Sequence, residues 1–307
     1  MNIIYPKNKY AVAFPGQGAQ KQNMGMDLLD HCKEIFTLSE KVYPDFKSIL
    51  QKSDSELSST IYSQPALYTV SAAIWSVMND ITNPAYLAGH SVGEYVACYA
   101  SGCFSFEDGL RLIKLRSELM SKCSGTMFAC IGSFDDVEKF VTHISANLGF
   151  VCEIANYNHD SQVVISCDEK AVESINNDYR DFGIKRCIQL KVSGGFHSSL
   201  VSNVKDQLAD EISKISFSTP RIPIISNKTG VATSDPQEVK SNLIDHVVSG
   251  VKWKNTMDYM KNHNVDMLIE MGPGNVLSKL AEKSDIKSVT IRNIDDIMSM
   301  KKEFINV

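Results

Sequence analysis

The sequence predicts an α/β fold, a large α/β body interrupted by a smaller inserted subdomain. Three observations predict it. Short apolar runs suited to buried strands, at residues 10–14, 85–88 and 267–270, each run into a glycine-bearing turn. Apolar stripes at helical spacing lie between them, most plainly over residues 107–123. Between 127 and 194 the order becomes strand-helix-strand-strand-helix-strand, which is the ferredoxin-like arrangement. The body then comprises 1–126 and 195–307, the insertion 127–194, and the cleft between them is the expected place for a ligand.

Composition narrows the class. A chain of 307 residues suits one large domain, with or without an insertion. Its 31 basic and 36 acidic residues give a net charge of -5 with no dense basic run, which excludes nucleic acid as the main partner. The stretch Met1 to Tyr10 is polar and basic, and Pro15-Gly16 stops the apolar run after it, so no signal peptide is expected. No segment approaches the roughly 18–20 apolar residues of a membrane span, so the expectation is a cytoplasmic protein without membrane contact. The eight cysteines show neither CxxC spacing nor paired histidines, and are expected to be reduced and buried, with no disulfide and no metal site.

Taken in order, Tyr10 to Phe14 is a buried strand, and Pro15-Gly16-Gln17-Gly18-Ala19-Gln20 is a tight turn. The turn is not GxGxxG, which excludes a dinucleotide site. Its backbone N–H groups either supply an oxyanion donor or belong to an ordinary loop. Met24 to Tyr43 and Leu67 to Met78 read as helices, the second entered through Gln64-Pro65 with the proline in its first turn. Ala85 to Ala88 then leads through Gly89-His90-Ser91-Val92-Gly93 into a helix over Glu94 to Ala100. A strand turning sharply into a helix needs little side chain at the crossing, and GxSxG places a glycine on each side. Ser91 stands at the tip, beside a helix N-terminus that favours an oxyanion. It is either a nucleophile or a serine capping the helix.

In Glu107 to Cys123, Leu112, Ile113, Leu119 and Met120 form the apolar stripe and Arg116 falls in its middle. A guanidinium facing the core needs an anion, because burying it unpaired costs several kcal/mol. That anion is either an internal carboxylate or a substrate carboxylate gripped by the planar fork, unless the side chain snorkels to the surface. The insertion follows, with strands at 126–131, 150–155, 162–167 and 184–192 and helices at 134–148 and 169–182. It ends at Ser193-Gly194-Gly195-Phe196-His197, where a glycine pair delivers a histidine as the chain returns to the body. Of the seven histidines, His31, His143 and His263 sit in polar settings, and His90 adjoins Ser91 too closely to meet it. His197 is the candidate general base, since its imidazole can take the Ser91 proton near neutral pH. The remainder holds a strand at 223–226, a helix ending near Val248, a helix starting at Trp253, and a strand at 267–270 whose Gly272-Pro273-Gly274 turn is expected near the site.

Together these motifs resemble the malonyl-CoA:acyl carrier protein transacylases over nearly the whole chain: PGQGAQ at 15–20, QPAL at 64–67, GHSVGE at 89–94, the arginine of KLRSELM, the stretch 156–166, GFHS at 195–198 and GPG at 272–274. The resemblance implies a hydrolase-like body with a ferredoxin-like subdomain and an S-malonyltransferase activity. It implies Ser91 as acylated nucleophile, His197 as its base in a dyad without an acidic third member, and the backbone N–H groups of Gln17 and Val92 as oxyanion hole. Arg116 matches the residue that grips malonate, and Phe196 the arrangement of malonyl-selective members. The substrates implied are malonyl-CoA and an acyl carrier protein bearing phosphopantetheine, with no bound cofactor and a monomeric enzyme in fatty acid or polyketide synthesis. Two positions depart from the family. His246 stands where Gln usually lies seven residues before the Trp, and Gly250 replaces a Pro; that first position orients the catalytic histidine through its carbonyl. Carriers are acidic, so Lys185, Arg186 and Lys191 are either carrier-facing or simply solvated. The alternatives are a serine thioesterase or acyl hydrolase, a trans-acting polyketide acyltransferase of different acyl preference, and an inactive carrier-docking scaffold.

Overall fold

The computed structural model describes residues 9–305, with side chains to 303, so most of the polar stretch Met1 to Tyr10 lies outside the described residues. Ten strands are found among them: β1 (Tyr10–Phe14), β2 (Tyr86–Gly89), β3 (Thr126–Ile131), β4 (Cys152–His159), β5 (Gln162–Cys167), β6 (Arg186–Gln189), β7 (Ile224–Ile225), β8 (Ala232–Thr233), β9 (Met267–Met271) and β10 (Lys287–Ile291). They form a six-stranded sheet of order β10-β9-β1-β2-β7-β8 and a four-stranded sheet of order β4-β5-β3-β6.

The larger sheet is parallel except for β8, which returns antiparallel to β7. The period of two in β1 splits its residues between two cores. Tyr10, Val12 and Phe14 face one core with the Thr60–Met78 helix; Ala11 and Ala13 face another, with Trp253, Met257 and Met260. Both faces are thus covered by helices, which explains why these strands read as near-continuous apolar runs. The parallel strands end on one edge, the usual ligand edge of such sheets.

In the smaller sheet every pairing is antiparallel, and in the order of its own strands it runs 2-3-1-4, the ferredoxin-like order. One face packs Phe128 and Ile165 against Phe140 and Ile175 of its own helices, while Met127 and Val164 on the other join the core of the body. A bulge in β4 near Ala155 lets it pair with the segment before Trp253: the Tyr157 N–H donates to the Val251 carbonyl at 2.8 Å, and the Val251 N–H to the Ala155 carbonyl at 2.8 Å. A Cβ on Gly250 would come within 2.7 Å of the Ile154 carbonyl, so this contact requires the glycine.

Several elements differ from the sequence reading. Met24 to Tyr43 is not one helix: Asn23 and Gly25 take left-handed φ, a 3-10 turn spans Met26–Leu28, and the α-helix runs Lys33–Val42. Leu28, Cys32, Ile35, Ser39 and Val42 are nevertheless all buried, so the helical period survives a break in the backbone. The second helix starts at Thr60, leaving Pro65 in its second turn. There it forfeits the one bond to the Ile61 carbonyl, and a helix with fifteen of nineteen residues buried tolerates the loss. Glu169 to Phe182 is a short α-helix, Val172–Asp178, between 3-10 turns. Strand β6 stops at Gln189 because the chain turns away into the cleft, where Leu190, Lys191 and Val192 line a cavity. No helix among the described residues is long and apolar enough to cross a membrane.

Candidate active site

The site forms at the end of β2. Ser91 has φ 51°, the left-handed region that a non-glycine residue rarely enters. The glycines beside it are needed for close approach: a Cβ on Gly89 would lie 2.0 Å from the Gly93 carbonyl, and one on Gly93 2.1 Å from the Phe14 oxygen. Asn227, just past β7, clamps the turn from outside. Its Oδ1 accepts from the Ser91 N–H at 2.8 Å, its Nδ2 donates to the Gly89 carbonyl at 2.5 Å, and its own N–H donates to Glu94 Oε2 at 3.2 Å.

The Ser91 hydroxyl meets His197 Nε2 at 2.8 Å. His197 Nδ1 faces two carbonyls, His246 O at 3.0 Å and Ser249 O at 3.2 Å. Carbonyls only accept, so the proton of the neutral ring sits on Nδ1 and Nε2 is left bare to receive the serine proton. Burial first, then the Arg116 charge, push the pKa of His197 down to about 3, against the pull of the two carbonyls. The ring is therefore neutral at any physiological pH.

Arg116 projects from the Phe106–Met120 helix, whose start is capped by Ser105 accepting from the Asp108 N–H. The side chain is 1% exposed. Its Nη1 donates to Gln64 Oε1 at 2.5 Å, its Nη2 to Ser91 Oγ at 3.2 Å, and its Nε has no partner. The arginine salt bridges among the described residues belong to Arg111 and Arg292, so no carboxylate among them touches Arg116, and the buried Glu94 acts on its charge only from a distance. Burial lowers its pKa from the ordinary arginine value.

These groups open onto a cavity of about 380 Å³, lined also by Gln17, Val92, Met120, Met127, Leu190, Lys191 and Phe196. None of the backbone hydrogen bonds among the described residues uses the N–H of Gln17 or Val92, which leaves both free for a ligand oxygen. The Gln17 side chain ties its loop to Ser58 and Thr60. Phe196 is held by its carbonyl, which accepts from Ser166 Oγ. Lys191 reaches the cavity, whereas Lys185 and Arg186 are exposed toward the edge of the small sheet. The Gly272-Pro273-Gly274 turn does not line the cavity: Gly272 packs against Pro15 and Gly274 against Ala19, bracing the Gln17 loop from behind.

Four site residues escaped the analysis of single residues: Glu94, Asn158, Asn227 and, as partner of Arg116, Gln64. Asn158 bonds His90 Nε2 at 2.9 Å, and so holds His90 away from the serine. A polar residue just past a buried strand was the available signal for Asn227, as was a carboxylate in an apolar helix for Glu94.

The chain is similar to known proteins over nearly its whole length. The acyl transferase domain family matches residues 12–302. The malonyl CoA-acyl carrier protein transacylase of Staphylococcus aureus (strain MW2) is 32% identical over 302 residues, covering 94% of this chain and 97% of that protein. The crystal structure of an acyl carrier protein S-malonyltransferase from Vibrio cholerae O1 biovar eltor superposes with TM-score 0.89 at 34% identity, covering 95% of this chain and 100% of the other. A chain of the PlMCAT:AntF complex, a type II PKS acyl-carrier protein with its malonyl-transacylase, does so with TM-score 0.90 at 28% identity, covering 98% and 100%. A match spanning almost the whole chain, on a fold that brings serine, histidine and arginine together, places the protein in the acyl transferase domain family.

Proposed function

We propose that the protein moves a malonyl group from malonyl-CoA to the phosphopantetheine thiol of an acyl carrier protein, in ping-pong fashion through malonyl-Ser91. The observation that carries this reading is the buried Arg116 guanidinium, without a carboxylate of its own and 3.2 Å from the Ser91 hydroxyl. An acyl group ending in a carboxylate supplies the missing anion and is held by its far end while its thioester meets the serine. His197 Nε2 takes the Ser91 proton as Oγ attacks the thioester carbonyl. The tetrahedral oxygen then accepts from the Gln17 and Val92 N–H groups. CoA leaves as its thiol, taking the proton from His197. The carrier's thiol repeats the sequence on the acyl-serine.

Arg116 also acts on the base. Its charge is the second cause, after burial, that holds the His197 pKa down. Pairing it with a substrate carboxylate offsets that charge, so a dicarboxylic acyl group makes His197 a stronger base than a neutral one does. The relatives named for this activity, and the neighbour found in complex with a carrier, support the choice of substrates.

The test is intact-mass measurement after mixing the protein with malonyl-, methylmalonyl- or acetyl-CoA, followed by addition of a holo-carrier. Malonyl labelling of Ser91 and passage to the carrier are expected. Free malonate with no acylated carrier would instead point to a hydrolase. Arg116→Ala is expected to slow malonyl transfer on the order of 10²-fold while changing acetyl transfer far less, the loss of one charge-assisted contact in a desolvated site. Equal losses would remove Arg116 from this role.

A further inference from the structure

Among the described residues the Ser91–His197 dyad has no acidic hydrogen-bond partner, yet an unused carboxyl group lies one layer deeper. Glu94, in the first turn of the Gly93–Ser101 helix, is 3% exposed, and His246 is 0% exposed. Glu94 Oε2 stands 3.8 Å from His246 Nδ1. Neither ring nitrogen of His246 has a hydrogen-bond partner. An imidazole buried in that state loses its hydrogen bonds to water without replacement. At that separation the carboxyl and the imidazole face each other electrostatically without a hydrogen bond between them. His246 in turn touches the base twice: its carbonyl accepts from His197 Nδ1, and the two rings lie 5.0 Å apart, centroid to centroid.

We propose that Glu94 and His246 form a buried pair that positions His197 and sets the pH at which it works. The kinetic part of this proposal rests on the acyl-transfer reading of the dyad; the existence of the pair does not.

The surroundings decide which charge states the pair can take. Burial first, then His197, Arg116 and His90, whose positive or potentially positive groups face it, hold the His246 pKa well below the usual histidine value. Burial raises Glu94 to about 7, against the Asn227 N–H, the Ser226 hydroxyl and the Arg116 charge. Tyr95, on the same helix as Glu94, is pushed up to about 12 and stays neutral. Asp245, next to His246 in the chain, is occupied by Lys205 and Lys228. Below about 7 Glu94 is protonated and the pair carries no net charge, and above it the pair is an anion. Negative charge behind His197 favours the imidazolium that forms as Ser91 loses its proton. Acylation consequently rises with pH through that window. His197 itself, at about 3, does not titrate there.

Two measurements test the pair. In the intact protein carrying carboxyl-labelled glutamate, an NMR titration is expected to show a Glu94 resonance with a midpoint near 7 that disappears in Glu94→Gln. That substitution keeps an acceptor for the Asn227 N–H. A Glu94 midpoint in the ordinary range near ~4 overturns the proposal. The rate of Ser91 acylation by malonyl-CoA against pH is expected to show a step at the same midpoint, flat in Glu94→Gln. In His246→Leu, which puts an apolar group where the imidazole faces the carboxylate, the step moves up by about one pH unit. In His246→Gln, which keeps a polar group there, it stays in place. A step of unchanged midpoint in both Glu94→Gln and His246→Leu overturns the proposal, because a merely structural role would alter the rate without moving the midpoint. If Ser91 is never acylated, the acyl-transfer reading fails while the NMR titration still decides on the pair.

Discussion

Ser91 and His197 both stand at positive φ, 51° and 58°, but the two walls that hold them are built differently. The serine wall is largely local, with Asn227 as a distant clamp. Gly89 and Gly93 flank the nucleophile, and their missing side chains let β2, the turn and the next helix close on one another. The histidine wall is assembled from afar: His197 Nδ1 is held by carbonyls 49 and 52 residues further along the chain, and the preceding Phe196 carbonyl by Ser166, 30 residues earlier. The difference teaches that the nucleophile is set mainly by the glycines of its own turn, whereas the base is placed by carbonyls and a hydroxyl that distant segments bring to it.

The largest expected effect breaks both walls at their chemistry. Ser91→Ala should abolish acylation, a loss of at least ~10³-fold, and His197→Ala should cost a comparable factor with the fold retained, since each removes one half of a proton-transfer pair. Intact-mass time courses beside circular dichroism would check this, and a His197→Ala enzyme of near-normal rate would detach the base wall from catalysis. Next, the walls can be separated by adding one methyl group to each. Gly93→Ala puts a Cβ 2.1 Å from the Phe14 oxygen, a backbone atom that cannot move alone. It should destabilise the protein by about 3 kcal/mol in denaturant titration. Gly250→Ala meets the Ile154 carbonyl at 2.7 Å, at the seam between insertion and body. It should lower stability by only about 1 kcal/mol while slowing acylation on the order of tenfold through a displaced His197. If the two variants show the same ratio of lost stability to lost rate, the walls are not distinct.

The smallest effect concerns acid stability. His90, His197 and His246 all have pKa values lowered by burial, so the unfolded chain binds their protons first. Their contribution is complete above the unfolded value near 6.5 and is lost as pH falls below it toward the folded values. Glu94, raised to about 7, and Glu270, also raised by burial, work in the opposite sense above their ordinary value of 4.5, two groups against three. Stability should therefore fall as pH is lowered from 6.5 to 5, and His90→Gln should reduce the slope by about 1 kcal/mol per pH unit. An unchanged slope would mean that His90 is already protonated in the folded protein.

Much of this was legible in the chain. Strands β1, β3 and β5 lie where alternation and flanking turn residues put them, at Tyr10–Phe14, Thr126–Ile131 and Gln162–Cys167. The bend at Ser91 was readable because it depends on five consecutive residues, and Arg116 because a charge in an apolar stripe contradicts the helix around it. Asn227 and Gln64 were not legible as partners: they reach Ser91 and Arg116 from 136 and 52 residues away, with no periodicity to mark them. The same holds for the break before Lys33, where burial kept the helical period and only the backbone angles changed.

The sequence by itself determined the alternation of strands and helices, the tight turn under Ser91 and the inward face of Arg116, because sterics and burial period act among neighbours within a turn or two. Only the tertiary structure decided that no carboxylate meets Arg116, that His197 presents Nε2 rather than Nδ1 to the serine, and that His246 is sealed beside Glu94. Those outcomes depend on which polar groups are stripped of water together, and desolvation is a property of distant segments brought into contact.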